Sequence, residues 1–350
     1  MNKIINEDIR TILDGNMAWN EFGGKSILVT GAYGILASYL VYTLIELNKT
    51  TLFHNPCKIF ALGRNIEKAR EKFGADFNSK INFINQDVCE TIDSALNLDF
   101  IIHAASPASP KYYAKQPVDV MLPNVLGTLN LLNYCKHNSK CRLLYISTSE
   151  VYVKQNQNNE YLYENLMGSA DPATLRSCYC ESKRAGETLC VSYKQQYGID
   201  CVIVRPFHSY GPGMPLDDGR VFADFVNNIV SNENIVLKSD GLAVRAFCYL
   251  TDVTKGFFTV LLKGQNGEAY NLGNPSAAIS VKDLALALVK LFPQKKLQVI
   301  FDYQANSGTL QSQVQKSLPD IEKIKKLGWN PSVGIEEGFQ RTILSYNEGE

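Results

Sequence analysis

The stretch that most restricts the fold is a strand, a glycine turn and a helix in immediate succession. Ser26-Ile27-Leu28-Val29-Thr30 is a short apolar run suited to a parallel strand buried on both faces. It runs directly into Gly31-Ala32-Tyr33-Gly34-Ile35-Leu36-Ala37, and a helical pattern continues to about Leu47. In that order, backbone N–H groups and the positive end of a helix converge on one point, where a pyrophosphate can be received. Gly31 permits the tight turn, Gly34 lets a phosphate approach the backbone, and Ala37 takes the position of close helix–strand packing. The spacing is G-x-x-G-x-x-A rather than G-x-G-x-x-G, and it predicts nucleotide binding at the C-terminal ends of an α/β sheet.

Five further runs read as strands. Lys58–Leu62 ends in Gly63-Arg64-Asn65, where an acidic residue would accept the adenosine ribose hydroxyls and favour NAD. None is present. Arg64 is placed to stack on adenine or to meet a 2′-phosphate, so NAD is the first expectation and NADP stays open. Ile81–Asn85 leads to Asp87-Val88, with the Asp87 carboxylate available to an adenine amino group. Phe100–Ala105 ends in the small residues Ala104 and Ala105, past which a cofactor backbone would run. Arg142–Ile146 delivers Ser147-Thr148-Ser149-Glu150 at its C-terminal end, and Cys201–Val204 is the sixth strand. Helices are read over 118–137 and Tyr179–Tyr197. The alternation predicts an α/β fold with a doubly wound parallel sheet of Rossmann type.

After Arg205-Pro206 the chain becomes turn-rich, with Gly211-Pro212-Gly213 and Asp217-Asp218-Gly219-Arg220, and a helix is read near 221–231. This predicts a smaller α/β lobe from about 207–243 and 266–340, with residues 25–206 and about 244–265 forming the dinucleotide-binding domain. Ile4, Ile5, Ile9, Ile12 and Leu13 read as an accessory amphipathic helix within residues 1–24.

Candidate chemistry centres on Tyr179 and Lys183. On a helix, positions i and i+4 share a face. An ammonium beside a phenol favours the phenolate, so the spacing predicts a Tyr179 pKa below its ordinary value of about 10 and a general acid/base. Thr148 adds a hydroxyl to hold a substrate oxygen, and Glu150 a second base. Lys+Arg and Asp+Glu both number 35, which offers no basic excess for nucleic acid or a membrane surface. No run of eighteen apolar residues spans a bilayer. Nine cysteines are scattered without a C-x-x-C, which predicts reduced thiols, a cytoplasmic protein and no metal site.

Together, T-G-x-x-G-x-x-A at 30–37, H-A-A-S at 103–106, S-T-S-E-V-Y at 147–152, Y-x-x-x-K at 179–183 and R-P-F-H-S-Y-G-P at 205–212 resemble the extended short-chain dehydrogenase/reductase family, which modifies nucleotide-activated sugars. Within it, Ser106-Pro107-Ala108-Ser109-Pro110, Thr148–Tyr152, Asp218-Gly219-Arg220-Val221 and Arg245–Tyr249 look most like the UDP-glucuronate decarboxylases. The resemblance implies oxidation of the sugar C4 hydroxyl, chemistry at C5 and return of the hydride. It implies cofactor contacts from Gly31, Tyr33, Gly34, Ile35, Arg64, Asp87, Val88, Ala104, Ala105, Ser106, Tyr179, Lys183 and Pro206. Pro107, Ser149, His208, Arg220, Val221 and Arg245 would meet a nucleotide-sugar substrate, and the helices at 118–137 and 179–197 would form a homodimer. Departures from the pattern are Ala37, the Leu62-Gly63-Arg64 stretch, Val153 for a glycine, His208 for an asparagine and Gly213 for an arginine. They leave 4,6-dehydratase, epimerase and 4-keto-sugar reductase chemistry as alternatives.

Overall fold

The computed structural model describes residues 2–15, 17–50, 55–153, 160–302 and 315–347. Strands β1 (Ser26–Thr30), β2 (Lys58–Gly63), β3 (Asn82–Asn85), β4 (Phe100–His103), β5 (Arg142–Ile146) and β6 (Cys201–Pro206) join Ala269–Leu272 in a seven-stranded sheet. Its order is Ala269–Leu272, β6, β5, β4, β1, β2, β3, and every pairing is parallel. Ile27, Leu28 and Val29 have no exposed surface, as a strand covered on both faces requires. The chain order reverses between β1 and β4, which opens a crevice at their C-terminal ends.

Two apolar layers cover the sheet. One gathers β1, the helix α2 (Ile35–Leu47), Phe257, Phe258 and Trp329; the other gathers Leu28, Ile101, Leu143, Leu131 and Cys190. The helix α1 (Lys3–Leu13) joins the first layer through Ile5, Ile9 and Ile12. Asn2 caps it by accepting from the Ile4 N–H at 2.8 Å. Asp8 on its buried face accepts from the phenols of Tyr39 and Tyr249, each at 2.8 Å, and pairs with Arg341 at 2.8 Å. The N-terminal helix is thereby tied to α2 and to the far C-terminal helix Ile335–Asn347.

A second core of Phe222, Phe225, Leu284, Phe339 and Ile343 belongs to the smaller lobe. Its three-stranded sheet places Val244–Ala246 between Ala278–Ser280 and Lys316–Ser317. Arg245 therefore stands on the lobe rather than in the stretch 244–265 read as large-domain chain. Conversely, Ala269–Leu272 pairs with β6, although 266–340 was assigned to the lobe. The helix expected over 118–137 is continuous but not uniform. Pro123 has no N–H to give to the ladder, and residues Pro123–Gly127 form a π turn between Pro117–Leu122 and Thr128–His137.

Candidate active site

At the nucleotide end, Gly31 has φ +63°, and a Cβ there would lie 2.7 Å from the Ala105 Cα. Neither the backbone angle nor the space admits another residue. Gly34 is the N-cap of α2 and offers no side chain to its first amides, so the helix N-terminus stays available to an anion. Thr30 Oγ1 accepts from the N–H groups of Ala104 and Ala105, both at 3.1 Å, and fixes the β4 exit against β1. His103 Nε2 lies 3.1 Å from the Pro123 carbonyl, which only accepts, so this nitrogen carries the proton. Its Nδ1 then accepts from the Thr30 hydroxyl at 2.9 Å. Burial first and the Lys183 charge second push the His103 pKa down to about 3, which makes it a neutral framework residue.

Tyr33 lies over the end of β2, where a Cβ on Gly63 would meet its ring at 2.5 Å. Arg64 directly follows β2, and Asp87 lies just beyond β3. They pair with each other at 3.4 Å across the ends of β2 and β3. Burial raises the Asp87 pKa, but the Cys89 N–H and the Arg64 charge outweigh it and leave the carboxyl below its ordinary range. Val88 is buried against Gly127, Ile35 opens α2, and Pro206 ends β6 half-buried. Ser106 is followed by Pro107 and carries a buried hydroxyl with no protein partner.

At the other end, Thr148 caps the short turn Ser149–Tyr152, accepting from the Glu150 N–H at 3.1 Å. Its hydroxyl also acts on the Tyr179 phenol, opposing the rise of its pKa. Tyr179, on the helix Ser177–Tyr197, stacks on Tyr113 with centroids 5.2 Å apart and planes at 18°. The Tyr179 pKa is raised, not lowered. Burial is the main cause and the Glu150 carboxylate the next, against smaller opposition from Thr148 and Arg220. Lys183 is not among the groups that shift Tyr179, and burial pulls its own pKa down to about 7. Its ammonium donates to the Ile146 carbonyl at 2.6 Å and sits 5.0 Å over the Tyr145 ring.

Glu150 keeps 36% of its side-chain surface, open to the cleft, and pairs with Arg176 at 3.4 Å. Burial raises its pKa, opposed by Arg176, Arg220 and Arg245. Arg220, on the lobe, also holds Asp218, whose carbonyl takes the Ser109 hydroxyl. Val221 follows it as the exposed first residue of the helix Val221–Val230. His208 is pushed down to about 3 by burial and by the charges of Arg245 and Arg220, and its Nε2 is buried without a protein partner.

The fold thus brings Thr148, Glu150, Tyr179, His208, Arg220 and Arg245 together and leaves Arg64 and Asp87 at the distant end of the crevice. Sequence reasoning missed Arg176, Tyr113 and Glu187. Only its place three residues before Tyr179 on the same helical face gave any signal for Arg176.

The family model described as the NAD dependent epimerase/dehydratase family matches residues 27–273. UDP-glucuronic acid decarboxylase 6 of Arabidopsis thaliana is 34% identical over 316 residues, covering 89% of this chain and 86% of that protein. UDP-glucuronic acid decarboxylase 1 of Xenopus tropicalis is 35% identical over 328 residues, covering 91% and 71%. Among solved structures, the UDP-glucuronic acid 4-epimerase of Bacillus cereus, in complex with UDP-glucuronic acid and NAD, superposes with a TM-score of 0.77. It is 25% identical, over 92% of this chain and 99% of that one.

Proposed function

This chain belongs to the NAD-dependent epimerase/dehydratase family, and from that premise we propose that it decarboxylates a UDP-glucuronate-type nucleotide sugar through a transient C4 ketone. The observation that carries the reading is one carboxylate, Glu150, paired with Arg176, acted on by Arg220 and Arg245, and standing on the turn capped by Thr148 where its charge reaches Tyr179. That arrangement joins an acid/base for a carbinol to a cationic pocket for a diphosphate and a sugar carboxylate.

Gly31 against Ala105, the uncapped N-terminus of α2 and the partnerless Ser106 hydroxyl suit a nicotinamide dinucleotide. When bound, that cofactor accepts the C4 hydride and later returns it. Tyr179 takes the C4 hydroxyl proton, and Thr148 holds O4. Lys183 is held by the Ile146 carbonyl to orient the ribose. The C4 ketone makes the C5 carboxylate a β-keto acid. The C5–C6 bonding pair then moves into an enolate, carbon dioxide leaves, and C5 takes up a proton from a water molecule oriented by the Glu150 carboxylate. Arg245 and Arg220 bind diphosphate and carboxylate, and neutral His208 offers Nε2 to the substrate.

The Arg64–Asp87 pair supports NAD over NADP, because an arginine already matched by a carboxylate is a weak 2′-phosphate site. Exposed Val118, Met121, Leu122 and Leu126, with Val191 on the neighbouring helix, support a homodimer through those helices. Analytical ultracentrifugation would give the mass of one chain if that is wrong.

The deciding experiment is incubation with UDP-glucuronate and a panel of UDP-, GDP-, CDP- and dTDP-sugars, read by mass spectrometry. Product lighter by one carbon dioxide supports the reading. Loss of water or an unchanged mass with altered NMR couplings replaces it with dehydration or epimerisation. Net production or consumption of reduced nicotinamide replaces it with a dehydrogenase or reductase.

A further inference from the structure

Arg176 stands where helix electrostatics disfavours it. It is the N-cap of the helix Ser177–Tyr197, and the N-terminal end of a helix repels a cation. Its side chain nevertheless turns into the site. Nη2 lies 3.4 Å from Glu150 Oε2, and the guanidinium carbon lies 5.7 Å from the Tyr113 ring centroid. Tyr113 is fully buried, is anchored by its hydroxyl to the Ala108 carbonyl at 3.0 Å, and stacks on Tyr179. Carboxylate, guanidinium, first phenol and second phenol form a continuous column from Glu150 to Tyr179.

We infer that Arg176, seated on Tyr113, is a positioning residue that fixes the Glu150 carboxylate relative to the Tyr179 phenol. The inference rests on the reading above in which those two groups handle the protons. A carboxylate not held by Arg176 would swing toward Arg220 and Arg245, the other two cations that act on it. Bound to Arg176, it is held at the N-terminal end of the helix Ser177–Tyr197, away from the lobe arginines. The groups facing Glu150 are Arg176, Tyr179, Cys178 and Cys180 from the Ser177–Tyr197 helix, Tyr113 from the helix Pro110–Lys115, Arg220 from the N-terminus of Val221–Val230 and Arg245 from the strand Val244–Ala246. Three cations oppose the burial of one carboxylate, and Arg176 is first among them. Tyr113 makes the contact directional, because a planar guanidinium lies on a ring face as an ammonium does not.

The test compares wild type with R176Q, R176K and Y113L in the full chain. Two readouts are needed: kcat and KM against pH with whichever nucleotide sugar turns over, and ¹³C NMR titration of side-chain glutamate carboxyls without substrate, with Glu150 assigned through E150Q. R176Q should raise the Glu150 titration midpoint by about one pH unit, since a close opposite charge moves a carboxyl by roughly one to three units and two arginines remain. The acid limb of kcat should move with it. KM should rise as well, because the released carboxylate competes for Arg220 and Arg245. R176K should restore most of the midpoint and less of the rate, and Y113L should reproduce part of the R176Q loss. A Glu150 midpoint unmoved in R176Q, in protein that melts like wild type, overturns the inference. So does a uniform fall in kcat with an unshifted pH limb in both Arg176 variants. If no sugar nucleotide turns over, the functional reading fails, and the NMR midpoint still decides the role of Arg176.

Discussion

Glu187→Gln isolates the charge that keeps Lys183 usable. Glu187 follows Lys183 by one helical turn. It accepts from Arg205 Nε at 2.9 Å and Nη2 at 2.6 Å and from the Ser147 hydroxyl at 2.5 Å. Both partners of the ion pair are only 12% exposed. Burial pulls Lys183 down to about 7, and the Glu187 charge is the largest influence in the other direction. At a separation of ~6 Å and an effective dielectric of about 20, two unit charges interact by roughly 3 kcal/mol. Arg205, in contact with the same carboxylate, cancels more than half of that at Lys183. About 1 kcal/mol remains, close to one pKa unit.

The sign follows from the charge. Lys183 is an ammonium below its folded pKa, so activity that needs the ammonium is present on the acid side and lost as pH rises through about 7. Removing the carboxylate lowers that pKa further, and the alkaline limb of kcat should move down by roughly one pH unit. The variant also breaks a buried pair, worth about 3–5 kcal/mol. At roughly 2 cal/mol/K per residue, that lowers the melting temperature by about 4–7 °C. Turnover against pH at 25 °C, beside a thermal melt, separates the two effects. An unmoved alkaline limb in folded Glu187→Gln protein would refute the coupling, whatever the melt does.

Three further changes test other parts of the frame. Asp8→Ala removes the common acceptor of Tyr39, Tyr249 and Arg341, a carboxylate only 1% exposed, and should cost about 3–5 kcal/mol in chemical unfolding while turnover per folded molecule holds. Gly31→Ala forces a Cβ to 2.7 Å from the Ala105 Cα at φ +63°, so dinucleotide affinity measured by calorimetry should fall at least tenfold and the melt should drop. Val153→Gly replaces a β-branched residue held at φ +47°. Release of about 1–3 kcal/mol of strain, less about 0.5–1 kcal/mol of glycine entropy, should raise the melting temperature by about 1–3 °C.

The parts of this molecule legible from sequence are those decided by local physics. β1, its glycine turn and α2 follow from an apolar run, a required positive φ and a helix start. Thr148 and Tyr179 were singled out because strand ends and helical spacing place them at the same sheet edge. The seventh strand was missed because Ala-Tyr-Asn-Leu does not read as a buried run. Asn271 is tolerated there only because its amide donates to the carbonyls of Leu162 and Asp320, and its own oxygen takes the Tyr152 hydroxyl at 2.5 Å. The same limit explains the error over Tyr179. Spacing along one helix names Lys183 as its neighbour, and the expected shift was downward. The groups that govern the phenol come from elsewhere, Glu150 from the end of β5 and Arg220 from the lobe, while Tyr113 on the helix Pro110–Lys115 stacks against it. Burial and the Glu150 charge reverse the sign, against the opposition of Arg220. For the proposed reaction, positive charge must come to this buried, neutral phenol before it can take a proton. The acid/base competence of Tyr179 is therefore a property of the loaded site, and the groups that set its resting state can be tested apart from those that set its turnover.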